Sequence, residues 1–156
     1  MEQTKPFSIH VFQINLALEI ALKAHREQID LDGNPAILHP IAVGMAGSNP
    51  IEQCVGFLHD VMEDSEFTFN DLRDMGVAPE IITVLQILTH DRSVPYMEYI
   101  RSIESSGNLT ALHVKLNDLR HNLQRGIAGG HTKQVKKHSE ALDYLLKDEE
   151  YIIMED

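Results

Sequence analysis

The chain has 156 residues, 43% of them hydrophobic, which is enough for one core, and no Gly-, Ser- and Pro-rich linker divides it, so a single domain over 1–156 is expected. Its 24 Asp and Glu outnumber its 13 Lys and Arg, and a net charge of −11 argues against a general nucleic-acid binder, which needs cations to set against phosphates. No apolar run approaches the roughly 20 residues of a membrane span, MEQTKPFSIH lacks the layout of a signal peptide, and the single Cys54 excludes an internal disulfide, so a cytoplasmic protein without a membrane partner is expected.

From Ser8 to about Gln28, Ile9, Phe12, Leu16 and Ile20 recur at helical spacing, with Leu18 and Leu22 widening the stripe. The segment DLDGNP interrupts this helix, and Pro40 falls in the first turn of a short helix running to about Gly47, which sets His39 at a helix mouth. Asn49-Pro50-Ile51-Glu52 combines an N-cap, a first-turn proline and a capping-box acid, predicting a helix from Ile51 to about Met62 with His59 and Asp60 in its last turn. Thr68 with Asp71 starts another helix, stopped by Gly76. Pro79 opens IITVLQIL, whose β-branched residues suit a strand. The proline and the lack of any strand to pair with favour helix. Pro95 starts a helix holding Tyr96, Tyr99 and Ile103, Asn108 caps one from Leu109 to about Arg125, and Thr132 caps the last, with Val135, Leu142, Leu145 and Leu146 toward the core. The C-terminal DEEYIIMED reads as a docked tail or a subunit contact, leaving a homo-oligomer open. The expected fold is all-α, a bundle of about seven or eight helices.

The segment HDVMED carries the chemistry. Residues four apart share a helix face, so Glu63 is expected above His59 and Asp64 above Asp60. With His39 and Asp118 the chain can offer two imidazoles and two carboxylates to one divalent ion. That mixture suits first-row ions such as Mn, Fe, Co or Zn better than all-oxygen Mg or Ca sites, and Mn is the first expectation. In KLNDLRHNL, Lys115, His121 and Asn122 project on the same side as Asp118, placing a cation and an amide beside a phosphate. The competing reading of that segment is a solvated polar stripe opposite Leu112, Leu116, Leu119 and Leu123. Glu63 is the expected acid or base, with Asp64 aligning it. Arg26 is expected to offset phosphate charge, and His25 either approaches the substrate or packs.

Taken together, His39, His59-Asp60 and Asp118 resemble the pattern of the HD metal-dependent phosphohydrolases. AHREQ (24–28), DGNPAILHP (32–40), FLHDVMED (57–64) and KLNDLRHNL (115–123) stand in the order and spacing of the hydrolase domain of RelA/SpoT alarmone enzymes and the stand-alone small alarmone hydrolases. The likeness runs from about residue 14 to about 146. It implies an HD-domain helical bundle, one Mn ion, removal of pyrophosphate from the 3′ position of guanosine polyphosphates, and roles for Glu63 and Asp64 in organising water and proton transfer. The chain departs from the pattern in three places. Ile29 and Asp30 stand where the family has basic residues, Ala36 replaces a tyrosine, and Leu119 replaces an arginine, with Arg120 displaced by one position. These departures keep open the hydrolysis of another nucleotide or dinucleotide phosphate. A non-catalytic nucleotide or metal sensor is the reading from a different class.

Overall fold

The computed structural model describes residues 8–147. Within them lie α1 (Ile9–His25), α2 (Leu38–Met45), α3 (Pro50–Leu58), α4 (Val61–Asp64), α5 (Phe69–Met75), α6 (Pro79–Leu88), α7 (Tyr96–Ser105), α8 (Leu109–Gly129) and α9 (Thr132–Leu146). The all-α expectation holds. IITVLQIL is helical, and among the described residues the only β pairing is an isolated bridge between Ile29 and Pro35 in the α1–α2 loop. No helix of the described residues is long and apolar enough to cross a membrane. DEEYIIMED spans 148–156 and lies outside the described residues.

Most boundaries follow local chemistry. Asn49 Oδ1 accepts from the Glu52 amide at 3.0 Å, with Pro50 at the first helical position. Thr68 and Asp71 exchange both bonds of a capping box, and Asn108 Oδ1 accepts from the Ala111 amide at 2.9 Å. Each cap satisfies an amide that the first helical turn leaves unpaired. Gly76, at φ 101°, ends α5 in the left-handed conformation that L side chains avoid. The expected Thr132 cap is different. His131 holds the cap position without a side-chain capping bond, its ring pairing with Asp32 instead, and Thr132 is already helical.

Two other expectations change. The helix before the HD pair ends at Leu58, and His59-Asp60 form a turn before the single-turn α4. There His59 Nδ1 donates to the Gly56 carbonyl at 2.6 Å, so a side chain takes a backbone acceptor near the helix end. Apart from this single turn, eight helices lie among the described residues, in keeping with the expected bundle. On α1, Ile9 is 63% and Phe12 40% exposed, whereas Gln13, Ala17, Ile20, Ala21 and His25 form the buried face. Ala17 and Ala21 flank Ile20 on that face. Gln13 is satisfied at both ends, donating to the Gly76 carbonyl at 2.9 Å and accepting from the Ala78 amide at 3.0 Å, and so pins the α5–α6 turn to α1.

The core centres on Ile20, Leu58, Val61, Leu72, Leu85, Ile100 and Leu119, with α8 packed against α2, α3, α6 and α9. One crossing positions the site. A Cβ at Gly56 of α3 would lie 2.6 Å from Gly44 Cα of α2, and a Cβ at Gly44 would lie within 2.1 Å of the Phe57 ring. Only hydrogen fits at either position. This backbone-to-backbone approach brings His39, at the start of α2, beside His59, at the end of α3.

Candidate metal centre and cleft

Three stretches of chain converge on one point. His39 comes from α2, His59 and Asp60 from the α3–α4 turn, and Asp118 from the middle of α8. Asp118 Oδ1 lies 2.8 Å from His39 Nε2 and 3.2 Å from His59 Nε2. Asp60 Oδ2 lies 3.3 Å from His59 Nε2 and 3.8 Å from His39 Nε2. Ligands at roughly 2.1 Å from one first-row ion sit about 3.0–3.4 Å apart for angles between octahedral and tetrahedral; the separations to His59 Nε2, 3.2 and 3.3 Å, fall in that range, and those to His39 Nε2, 2.8 and 3.8 Å, lie on either side of it. His59 Nδ1 is committed to the Gly56 carbonyl and His39 Nδ1 meets His121 Nδ1 at 2.7 Å, so both rings turn Nε2 toward the cluster.

Charge makes the same demand. Burial works against a proton on His59, but Asp60 and Asp118 outweigh it and push the ring up to about 9. Burial dominates at His39 and holds it below its usual value despite the Asp118 bond. His39, His59 and Asp60 each offer one ligand atom within 4.8 Å of the others, and Asp118 Oδ1 stands against both imidazoles, so one divalent cation would meet this donor set. The donor set therefore fits a divalent ion.

Asp118 is itself held from behind. Lys115 Nζ lies 2.7 Å from Asp118 Oδ2, and Asn122 Nδ2 donates to Oδ1 at 3.0 Å. Burial alone raises a carboxyl, yet Lys115 and His59 hold Asp118 well below the usual carboxylate range. Lys115 stands correspondingly high. Burial opposes its charge, but Asp118 and the nearby Tyr99 and Tyr96 rings sustain it.

Glu63 and Asp64 follow on α4. Burial and the Asp60 charge push Glu63 up to about 7, with Lys115 opposing. Asp64, on the rim, is raised by burial and Asp60. Its backbone carbonyl accepts from Gln28 Nε2 at 2.6 Å, and Gln28 Oε1 pairs with His25 Nδ1 at 2.8 Å. His25 therefore reaches the site through Gln28 as well as through the cleft wall, of which both are part.

The cleft beside this cluster has a volume of about 1060 Å³ and includes His39, Asp60, Glu63, Asp64 and Asn122 in its wall. Arg26 is exposed and stands off that wall, and so does Lys115. Lys115 borders a separate chamber of about 20 Å³, shared with Glu63, Asp118 and Tyr99. Two cleft cations escaped the sequence reading, Arg92 in the α6–α7 loop and Arg125 on α8. Arg125 was legible in principle, because 118, 122 and 125 follow the 4-then-3 spacing of one helix face. It donates to Asn122 Oδ1 at 2.5 Å and lies 3.8 Å from Asp30 Oδ2. Arg92 sits in a loop and carries no such signal.

No family model matches the chain. It is 31% identical to a GTP pyrophosphokinase of Streptomyces coelicolor, over 84% of this chain and 17% of that one. It is 32% identical to a guanosine-3′,5′-bis(diphosphate) 3′-pyrophosphohydrolase of Danio rerio, over 69% of this chain and 65% of that one. A protein of the same description from Spiroplasma citri is 27% identical over 72% of this chain and 17% of its own length. The chain thus spans about a sixth of the longer relatives, 17% in each case. A solved structure described as a metazoan ortholog of SpoT that hydrolyzes ppGpp superposes with a TM-score of 0.66, at 21% identity, over 94% of this chain and 98% of that one. That likeness establishes a shared fold.

Proposed function

We propose that the chain is an alarmone hydrolase of the HD type, as its likeness to the Danio rerio pyrophosphohydrolase supports, and that it removes the 3′ pyrophosphate of guanosine tetraphosphate in the cytoplasm. The supporting observation is the approach of His39, His59, Asp60 and Asp118 to one another beside a cleft whose wall includes His39, Asp60, Glu63 and Asp64. Those four side chains would hold one divalent ion, with manganese the first choice. When bound, the ion supplies a Lewis acid for phosphate oxygen and makes water more acidic.

The protein's own groups carry the remaining work. A carboxyl near pH 7 exchanges protons with least penalty at neutrality, so Glu63 takes the proton of the water that attacks phosphorus. The bond from phosphorus to the ribose 3′ oxygen breaks, pyrophosphate leaves, and the 3′ oxygen gains a proton. Asp64, tied to Gln28 through its backbone, orients the water. Arg125 and Arg92 offset phosphate charge, and Asn122 keeps Arg125 aimed into the cleft.

A second reading has its own observation. Asp30 stands where the family has a cation and lies against Arg125, and Ile29 beside it is exposed at the cleft rim. This wall is less cationic than the family pattern, which favours a less highly charged nucleotide or a dinucleotide phosphate. Guanosine tetraphosphate, mononucleotides and a nicotinamide dinucleotide phosphate, assayed side by side with manganese, separate the readings. Release of pyrophosphate from the alarmone alone supports the first, and turnover of the others alone replaces it. Tight binding without any turnover would make the protein a sensor.

A further inference from the structure

Lys115 and Asn122 were expected at the substrate, yet both point at a single carboxylate. Lys115 Nζ occupies Asp118 Oδ2 at 2.7 Å, and Asn122 Nδ2 donates to Oδ1 at 3.0 Å, the oxygen that faces His39 and His59. The chamber beside Lys115, about 20 Å³, has room for a single water and none for a phosphoryl group. The Lys115 side chain is only 11% exposed, and the Tyr99 and Tyr96 rings, 5.1 and 6.0 Å from its ammonium, enclose it. A substrate in the main cleft therefore cannot reach this ammonium while the fold is intact.

We propose that Lys115, assisted by Asn122, is a positioning residue that confines Asp118 to one ligating oxygen and so selects against calcium. The reasoning concerns denticity. Calcium takes six to eight oxygens at about 2.3–2.6 Å and readily accepts both oxygens of a carboxylate, whereas smaller first-row ions are content with one. With Oδ2 held by an ammonium and Oδ1 steered by an amide, Asp118 cannot rotate to offer both. Two imidazole ligands already favour a first-row ion. The locked carboxylate adds a geometric barrier to an abundant competitor with oxygen preference.

The inference rests on the proposed metal centre, and the test separates the two. Manganese and calcium are titrated separately into chelator-treated protein by calorimetry, for the parent, Lys115→Met and Asn122→Ala. Removing the Lys115 charge strengthens binding of any divalent cation, so the ratio of the two affinities, not either affinity, reports denticity. The manganese preference is expected to shrink by about tenfold or more in Lys115→Met, and by a smaller factor in Asn122→Ala, whose side chain lies nearer the surface. An unchanged ratio in both variants, with the parent binding manganese, overturns the role of Lys115 and leaves the centre standing. A parent that binds neither ion overturns both. If Lys115→Met does not fold, Asn122→Ala decides alone. A raised KM for the nucleotide in Lys115→Met, at unchanged kcat and unchanged ion ratio, would return Lys115 to the substrate and also overturn the proposal.

Discussion

Glu63 shows how a site sets the acidity of one side chain. Its partial burial and the Asp60 charge hold the carboxyl near 7, against an ordinary value of 4.5. Glu63→Gln keeps shape and hydrogen bonding but cannot take a proton, so kcat should fall by about 10²–10⁴-fold with bound metal unchanged. Parent-rate turnover in a metal-loaded variant would remove Glu63 from the chemistry. The same shift has a stability consequence in metal-free protein. A carboxyl with a raised folded pKa favours the native state while it is protonated in that state, an advantage complete below 4.5 and lost as pH rises through about 7. The melting temperature of chelator-treated protein should decline across that window. In Glu63→Gln this part of the decline should vanish; parallel melting curves for the two proteins would contradict the assignment. At this scale the motif residues were legible, because HD followed by ED is a local pattern. The direction of Lys115 was not. Spacing on α8 places Lys115, Asp118 and Asn122 on one side, but it does not say whether that side meets the open cleft or the chamber behind it.

Among the elements, the α2–α3 crossing matters most for the site. Gly44 and Gly56 let two backbones meet, and no side chain larger than hydrogen fits between them. Gly56→Ala should destabilise the fold by about 1–3 kcal/mol through overpacking. It should also push His39 from His59 and weaken metal binding more than a distant substitution of equal stability cost. Calorimetric titration of manganese beside thermal melting checks both, and full metal affinity in a folded Gly56→Ala protein would show that the crossing does not position the ligands. Caps at Asn49, Thr68 and Asn108 were readable because each uses side chains within three residues of the amide it satisfies. The apolar stripe of α1 coincides only in part with its buried face, since Ile20 is buried and Leu16 and Leu18 pack against the core, whereas Ile9, Phe12 and Leu22 are exposed. Periodicity identified the helix, but the large apolar residues Ile9 and Phe12 are exposed and the close-packed side uses Ala17 and Ala21. Residue size alone does not tell which stripe a neighbouring helix will cover.

For the whole molecule, metal and fold are linked. The centre joins α2, the α3–α4 turn and α8, elements far apart in sequence, so an ion bound there stabilises the native state alone. Manganese at 100 times its Kd should add about 2.7 kcal/mol, seen as a higher melting temperature that a chelator reverses. His39→Ala and Asp118→Ala should abolish that rise, and a shift that survives both would place the ion elsewhere. The acidic surface leaves the cleft's own charge to a few groups. Replacing Asp30 by Lys should lower KM for guanosine tetraphosphate if that is the substrate, since it adds a cation and frees Arg125. An unchanged or raised KM would favour the less charged substrates.

By itself the sequence determined the helical class, most helix starts and the identity of the four candidate ligands with their two acids. Each of these depends on chemistry within a few residues or on a motif short enough to recognise. Tertiary structure alone decided which face of α1 is buried, that His59-Asp60 form a turn, that Arg92 and Arg125 line the cleft while Arg26 does not, and that Lys115 serves Asp118. Those outcomes depend on how closely helices remote in sequence approach one another. That distance is set by packing across the core at positions such as Gly44 and Gly56, and no local pattern encodes it.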